Sequence, residues 1–162
     1  MRLIGSFRHG AGGKPLAPLL FVLGLLCLPA AGLADDGVVD DASELEGQTI
    51  QQLGALQDMA PMLRNVARGR QQVIFEHLRA PGSHVHAEDG FAWAWGCHGG
   101  DCARNGLFLG HEPKNGLLWM LLIRDGELDR QVPPRGSPWP APLVKGVASV
   151  SAELAARMAR GG

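Results

Sequence analysis

The stretch 117–123 reads Leu-Leu-Trp-Met-Leu-Leu-Ile, and 91–96 reads Phe-Ala-Trp-Ala-Trp-Gly. The first is an unbroken apolar run between the turn pairs Asn115-Gly116 and Asp125-Gly126. A run this short, closed at both ends by turn residues, suits a strand covered on both faces better than a helix. It is expected at the centre of a sheet. The second stretch alternates. Phe91, Trp93 and Trp95 share one face of a strand, and Ala92, Ala94 and Gly96 share the other. Such aromatic rows pack inward more often than they stand outward as a platform for sugar rings.

Outward from these strands, the pattern changes period. Ile50, Leu53, Leu56, Met59, Leu63 and Val66 recur every three or four residues, the stripe of an amphipathic helix. Pro61 lacks an amide hydrogen, so two helical pieces are expected, the second opened by Pro61. The segment 71–79 (QQVIFEHLR) is ambiguous and is read as a strand. Leu107, Phe108 and Leu109 continue the sheet. Five prolines make 132–142 an irregular connection, and Ser149 or Ser151 would cap a closing helix carrying Leu154, Ala155 and Met158. The expected class is α+β, an antiparallel sheet of about four or five strands with helices at both chain ends packed against it.

Residues 1–34 have the order of a secretory signal peptide. Arg2, Arg8 and Lys14 precede an uncharged apolar stretch from Pro15 to Ala30, and Gly32-Leu33-Ala34 offers a small-residue cleavage site. The apolar stretch is shorter than the roughly 20 residues that span a bilayer. Of 162 residues, 128 then remain, with residues 35–48 an acidic, solvated N-terminal arm and 49–162 a single domain. Lys and Arg together fall from 15 to 12 against 16 acids, leaving the exported chain near −4. That balance argues against nucleic-acid binding, which needs a basic face. A periplasmic location follows from the signal, with no membrane attachment after its removal.

Three cysteines fall to two when Cys27 leaves with the signal. Cys97 and Cys102 are five positions apart, and an even pair in an exported protein reads first as a disulfide. The enclosed sequence, Cys97-His98-Gly99-Gly100-Asp101-Cys102, is the candidate binding site. Closing about six residues is worth roughly 2 kcal/mol of loop entropy, so the ring is suited to shaping a protruding loop rather than holding the fold. Its glycines permit backbone angles that side chains forbid. A different class of reading is a metal site, drawing on His84 and His86, two apart on a strand, with His98, Asp101, the cysteines if reduced, and His111. His77 is expected to be partly buried. No nucleophile-elbow, zincin or phosphate-loop motif is present, so the chain is read as a non-enzyme with no cofactor and no resident metal.

The Cys-x-x-x-Asp-Cys loop, between a hydrophobic strand and a second strand, resembles the signature of the inhibitor of vertebrate lysozyme family. The layout of 49–124 is similar too, and little past Pro133 matches. The resemblance implies an α/β domain whose bridged loop plugs the active-site cleft of C-type lysozyme. The family loop reads Cys-Lys-Pro-His-Asp-Cys, and its histidine contacts the two catalytic carboxylates. Cys97, Asp101 and Cys102 match it, whereas His98 stands at the lysine position, Gly99 at the proline, and Gly100 at the histidine. The implied partner is C-type lysozyme or another peptidoglycan-cleaving enzyme, such as the cell's own lytic transglycosylases. A homodimer is left open.

Overall fold

The structure is a computed structural model that describes residues 39–161. The expected signal peptide over 1–34 lies outside the described residues. The elements are α1 (Ile50–Ala55), α2 (Met59–Val66), α3 (Gln71–Arg79), β1 (His86–Glu88), β2 (Phe91–Cys97), β3 (Gly106–Glu112), β4 (Leu117–Arg124), β5 (Glu127–Val132), α4 (Ala141–Ala148) and α5 (Ala152–Ala159). The five strands form one antiparallel sheet in sequence order. Helices cover both faces, so the fold is α+β with three layers.

Strand alternation sorts the core into two halves. Ala92, Ala94, Leu107, Leu109, Leu118, Met120 and Leu122 face one way, against Ile50, Leu53, Met59, Leu63, Ile74 and Leu78 of α1–α3. Trp93, Trp95, Phe108, Trp119, Leu121 and Ile123 face the other, against Leu143 and Val147 of α4 and Leu154, Ala155 and Met158 of α5. The aromatic row of β2 is therefore core, with Trp95 edge-on to Phe108 at 5.2 Å between ring centres. Small residues in the row facing α1–α3 let those helices come close. Gly96 touches the backbone of His77, and an added Cβ there would overlap the His77 carbonyl.

Four expectations need correction. The run 117–123 forms β4, buried on both faces from Leu118 to Ile123 with Leu117 exposed at its start; the middle strand is β3, paired with β2 and β4. Segment 71–79 is helical, not extended. Its Val73-Ile74-Phe75 run suggests a strand, but Ile74, His77 and Leu78 sit at helical spacing on the buried side, and Phe75 is left 48% exposed. The chain from 39 to 48 is not wholly solvated, because Ala42 and Leu45 are buried in a short 3-10 turn capped by Asp41. The irregular connection ends at Pro140, because Ala141 and Pro142 open a further helix, α4; Pro142 falls in its first turn, where no amide hydrogen is required.

The second helix starts two residues before Pro61, with Asp58 accepting from the Met59 amide at 2.9 Å. Ser151 caps α5 as one of the two serines expected there. Strand β5 has no counterpart among the expected elements, since Glu127–Val132 is polar. It is held at the sheet edge by pairing with β4 and by Arg70, whose Nε lies 2.8 Å from Asp129 Oδ2. The Arg70 hydrogen bonds hold the Asp129 carboxyl below the usual carboxylate range.

Gly146 of α4 sits between two indoles. It lies flush against the Trp93 ring, and its carbonyl accepts a 2.9 Å hydrogen bond from Trp95 Nε1. Replacing Gly146 with Ala would drive a methyl group into the Trp93 ring. Overpacking of this kind costs about 1–3 kcal/mol, and chemical denaturation of G146A should show a loss in that range.

Candidate functional site

The candidate loop projects between β2 and β3. Cys97 and Cys102 are bridged, with Cα atoms 4.6 Å apart. Cys97 is buried and Cys102 half-buried, whereas His98, Gly99, Gly100 and Asp101 are exposed. The ring is rooted at one end in the core and open at its tip. Gly99 and Gly100 both have positive φ, at 73° and 81°, and among the described residues, chain neighbours aside, no atom lies within 4 Å of where a Cβ would stand on either. The first fact explains why glycine suits the turn. The second says that no other described residue packs against the tip.

Hydrogen bonds pin the base of this ring on every side. The His98 amide donates to the Asn105 carbonyl at 3.1 Å, and the Asn105 amide donates to the Asp101 carbonyl at 2.8 Å. Asp101 Oδ1 accepts from the Arg104 amide at 3.1 Å. On one flank the Cys97 amide donates to the Pro81 carbonyl. On the other, the Gly126 amide donates to the Arg104 carbonyl, and the Asp125 amide to Asn105 Oδ1. Gly106 completes the base, since a Cβ on it would overlap the Cys102 carbonyl. Asn105 and Gly106 carry no signal of this role in the sequence. Only the Asp125-Gly126 pair is legible there, as a turn, with nothing to say that it braces a loop 20 residues away.

The imidazole of His98 is not alone. His77, at the end of α3, lies beneath the loop with its ring centre 6.2 Å from that of His98 and nearly perpendicular to it. His77 is 3% exposed, more deeply buried than expected, and its Nδ1 has no hydrogen-bond partner among the described residues. Burial, and then the neighbouring His98, hold its proton affinity below the ordinary histidine value; a hydrogen bond to the Gly96 backbone and the nearby Glu76 act the other way.

The residues of the alternative metal reading are dispersed. His84 Nδ1 is 3.0 Å from the Gly47 carbonyl, and His86 Nδ1 is 3.8 Å from Glu46 Oε1. His111 is fully buried, with Nε2 3.0 Å from Asp58 Oδ2 and Nδ1 3.0 Å from the Leu117 carbonyl. Among the described residues no group of three or more His, Cys, Asp and Glu side chains converges on a common point.

A family model described as inhibitor of vertebrate lysozyme (Ivy) matches residues 58–153. The chain belongs to the inhibitor of vertebrate lysozyme family. The match spans the bridged loop and runs well past Pro133, through α4 into the start of α5, so the resemblance extends further than the loop and strands alone suggest. No curated protein and no solved structure matches the chain. No helix among the described residues is long and apolar enough to cross a membrane.

His77 gives this family member a testable acid response. Its folded-state proton affinity is lowered, so protonation favours the unfolded chain. Stability should be unaffected by this group at high pH and should fall as pH drops below the ordinary histidine value of 6.5. A His77→Phe variant, which fills the site without titrating, should lose that part of the decline. Equilibrium unfolding from about pH 8 downward, compared between the two proteins, measures it.

Proposed function

We propose that the protein is exported to the periplasm and there blocks C-type lysozyme, without catalysis of its own, by inserting the 97–102 loop into the substrate cleft. The observation that carries this reading is the covalently closed, four-residue exposed tip on a base braced from both flanks, in a chain of this family. A loop shaped in advance loses little entropy on docking, so its contact energy is retained as affinity. A lysozyme cleft presents a carboxylic acid and a carboxylate flanking the scissile sugar bond. His98 is the one side chain on the tip able to donate to such groups. Asp101 already commits one oxygen to the Arg104 amide and acts chiefly on loop shape. Gly99 and Gly100 add no bulk, so the backbone can approach the cleft floor closely.

Gly100 also favours a second reading. With no side chain at the family's histidine position, the tip matches a cleft with different polar groups, such as that of a lytic transglycosylase. The two readings share the loop and differ in the enzyme that receives it.

The test is a turbidity assay of cell-wall lysis by C-type lysozyme, with and without the purified protein. Slowed lysis at micromolar protein is the expected result. Gly100→His should strengthen inhibition about tenfold or more, as a restored charged contact in a desolvated site does. A left-handed backbone at position 100 subtracts on the order of 1 kcal/mol from that gain. No slowing by either protein, together with slowed lysis by a lytic transglycosylase, would transfer the function to the second reading. Inertness toward both enzymes would overturn both readings.

A further inference from the structure

The exposed tip holds four residues, whereas a stable protein–protein interface engages about 20–30 residues on each side. A partner gripping only the tip would bind weakly. The surface that completes the contact must adjoin the loop, and there is a recess at each of its shoulders. The first, of about 130 Å³, is bounded by Ala103 and Gly126 on the loop side and by the cap residue Ser151 with Glu153 and Arg157 of α5. Its floor is Ile123, Leu128 and Leu154. The second, of about 360 Å³, is bounded by Pro81 on the loop side and by Thr49, Gln51, Arg79 and His84. Its floor is Ile50 and Leu78.

Both recesses are rigidly tied to the ring. Gly126 bonds to Arg104 just after Cys102, and Pro81 bonds to Cys97 itself. The second, largely apolar with Gln51 and Arg79 at its rim, accepts a side chain with an apolar stem and a polar end, and the first, largely polar, accepts a polar or charged one. Glu153, Arg157 and Arg79 have no ion-pair partner within 4.0 Å among the described residues, so their charges are free to meet an outside group.

We infer that the loop and its two flanking recesses form one continuous docking surface, in which the tip enters an enzyme's substrate cleft while the two protein lips of that cleft seat in the recesses. The inference rests on the proposed function and adds the residues that grip the partner outside its active site. A groove-shaped, polysaccharide-cleaving enzyme fits this surface, because a cleft open along its length has a lip on either side. A partner with a flat or convex face would leave both recesses empty.

The test leaves the loop intact and fills the recesses from exposed positions, with Ala103→Trp on one shoulder and Gln51→Trp on the other. Inhibition constants against C-type lysozyme and thermal midpoints are measured for each, alongside Arg157→Glu and Arg79→Glu. Each tryptophan variant should raise the inhibition constant about tenfold or more with an unchanged midpoint, and each charge reversal severalfold. If a tryptophan variant unfolds, the charge reversal on the same shoulder decides. Inhibition equal to wild type in all four would overturn the shoulders while leaving the loop reading intact. A wild-type protein that binds no such enzyme would overturn both.

Discussion

The structure depends on a sheet that must be buried on both faces while carrying large side chains on only one face of β2. Three indoles and two phenylalanines on one side of β2–β4 demand a partner layer that yields space, and Gly146 of α4 supplies it. On the other side, Ala92, Ala94 and Gly96 leave no bulk, so α1 and α3 settle almost onto the strand. The asymmetry fixes where β2 ends. Its last residues are held between the α3 terminus and the Pro81–Ser83 segment, where an added Cβ on Gly82 would overlap the Trp95 carbonyl. The chain has one way out, away from both layers, and the bridged loop lies there.

Burial and exposure are thus divided within six residues. Cys97 belongs to the aromatic core, and His98 to solvent. The disulfide spans that boundary, while the ladder of bonds through Asn105 and the β4–β5 turn does most of the orienting. The buried His77 beneath the loop belongs to the same arrangement. Its ring stands edge-on to the exposed imidazole, and burial lowers its proton affinity.

How much of this is legible in the sequence differs by element for physical reasons. Alternation in Phe91–Gly96 and the run Leu117–Ile123 locate two strands and their faces, because burial writes a period directly into hydrophobicity. The helical stripe through Ile50, Leu53 and Leu63 is equally direct, as is the serine cap of α5. Segment 71–79 misleads because three adjacent bulky residues imitate a strand when one of them, Phe75, is left outside. Strand β5 leaves no apolar trace, since an edge strand answers to backbone pairing and to one arginine from α3's start. At the site, the ring and its glycine tip are legible. The braces are not, because Asn105, Arg104 and Gly126 act largely through backbone groups that every residue carries.

The distribution of indoles has a separate consequence. All four tryptophans of the chain, Trp93, Trp95, Trp119 and Trp139, lie in the half of the core lined by α4 and α5. Intrinsic fluorescence therefore watches that half alone. Loosening of the N-terminal helical layer would pass almost unseen by emission while registering in circular dichroism, so the two signals together separate the layers as they come apart.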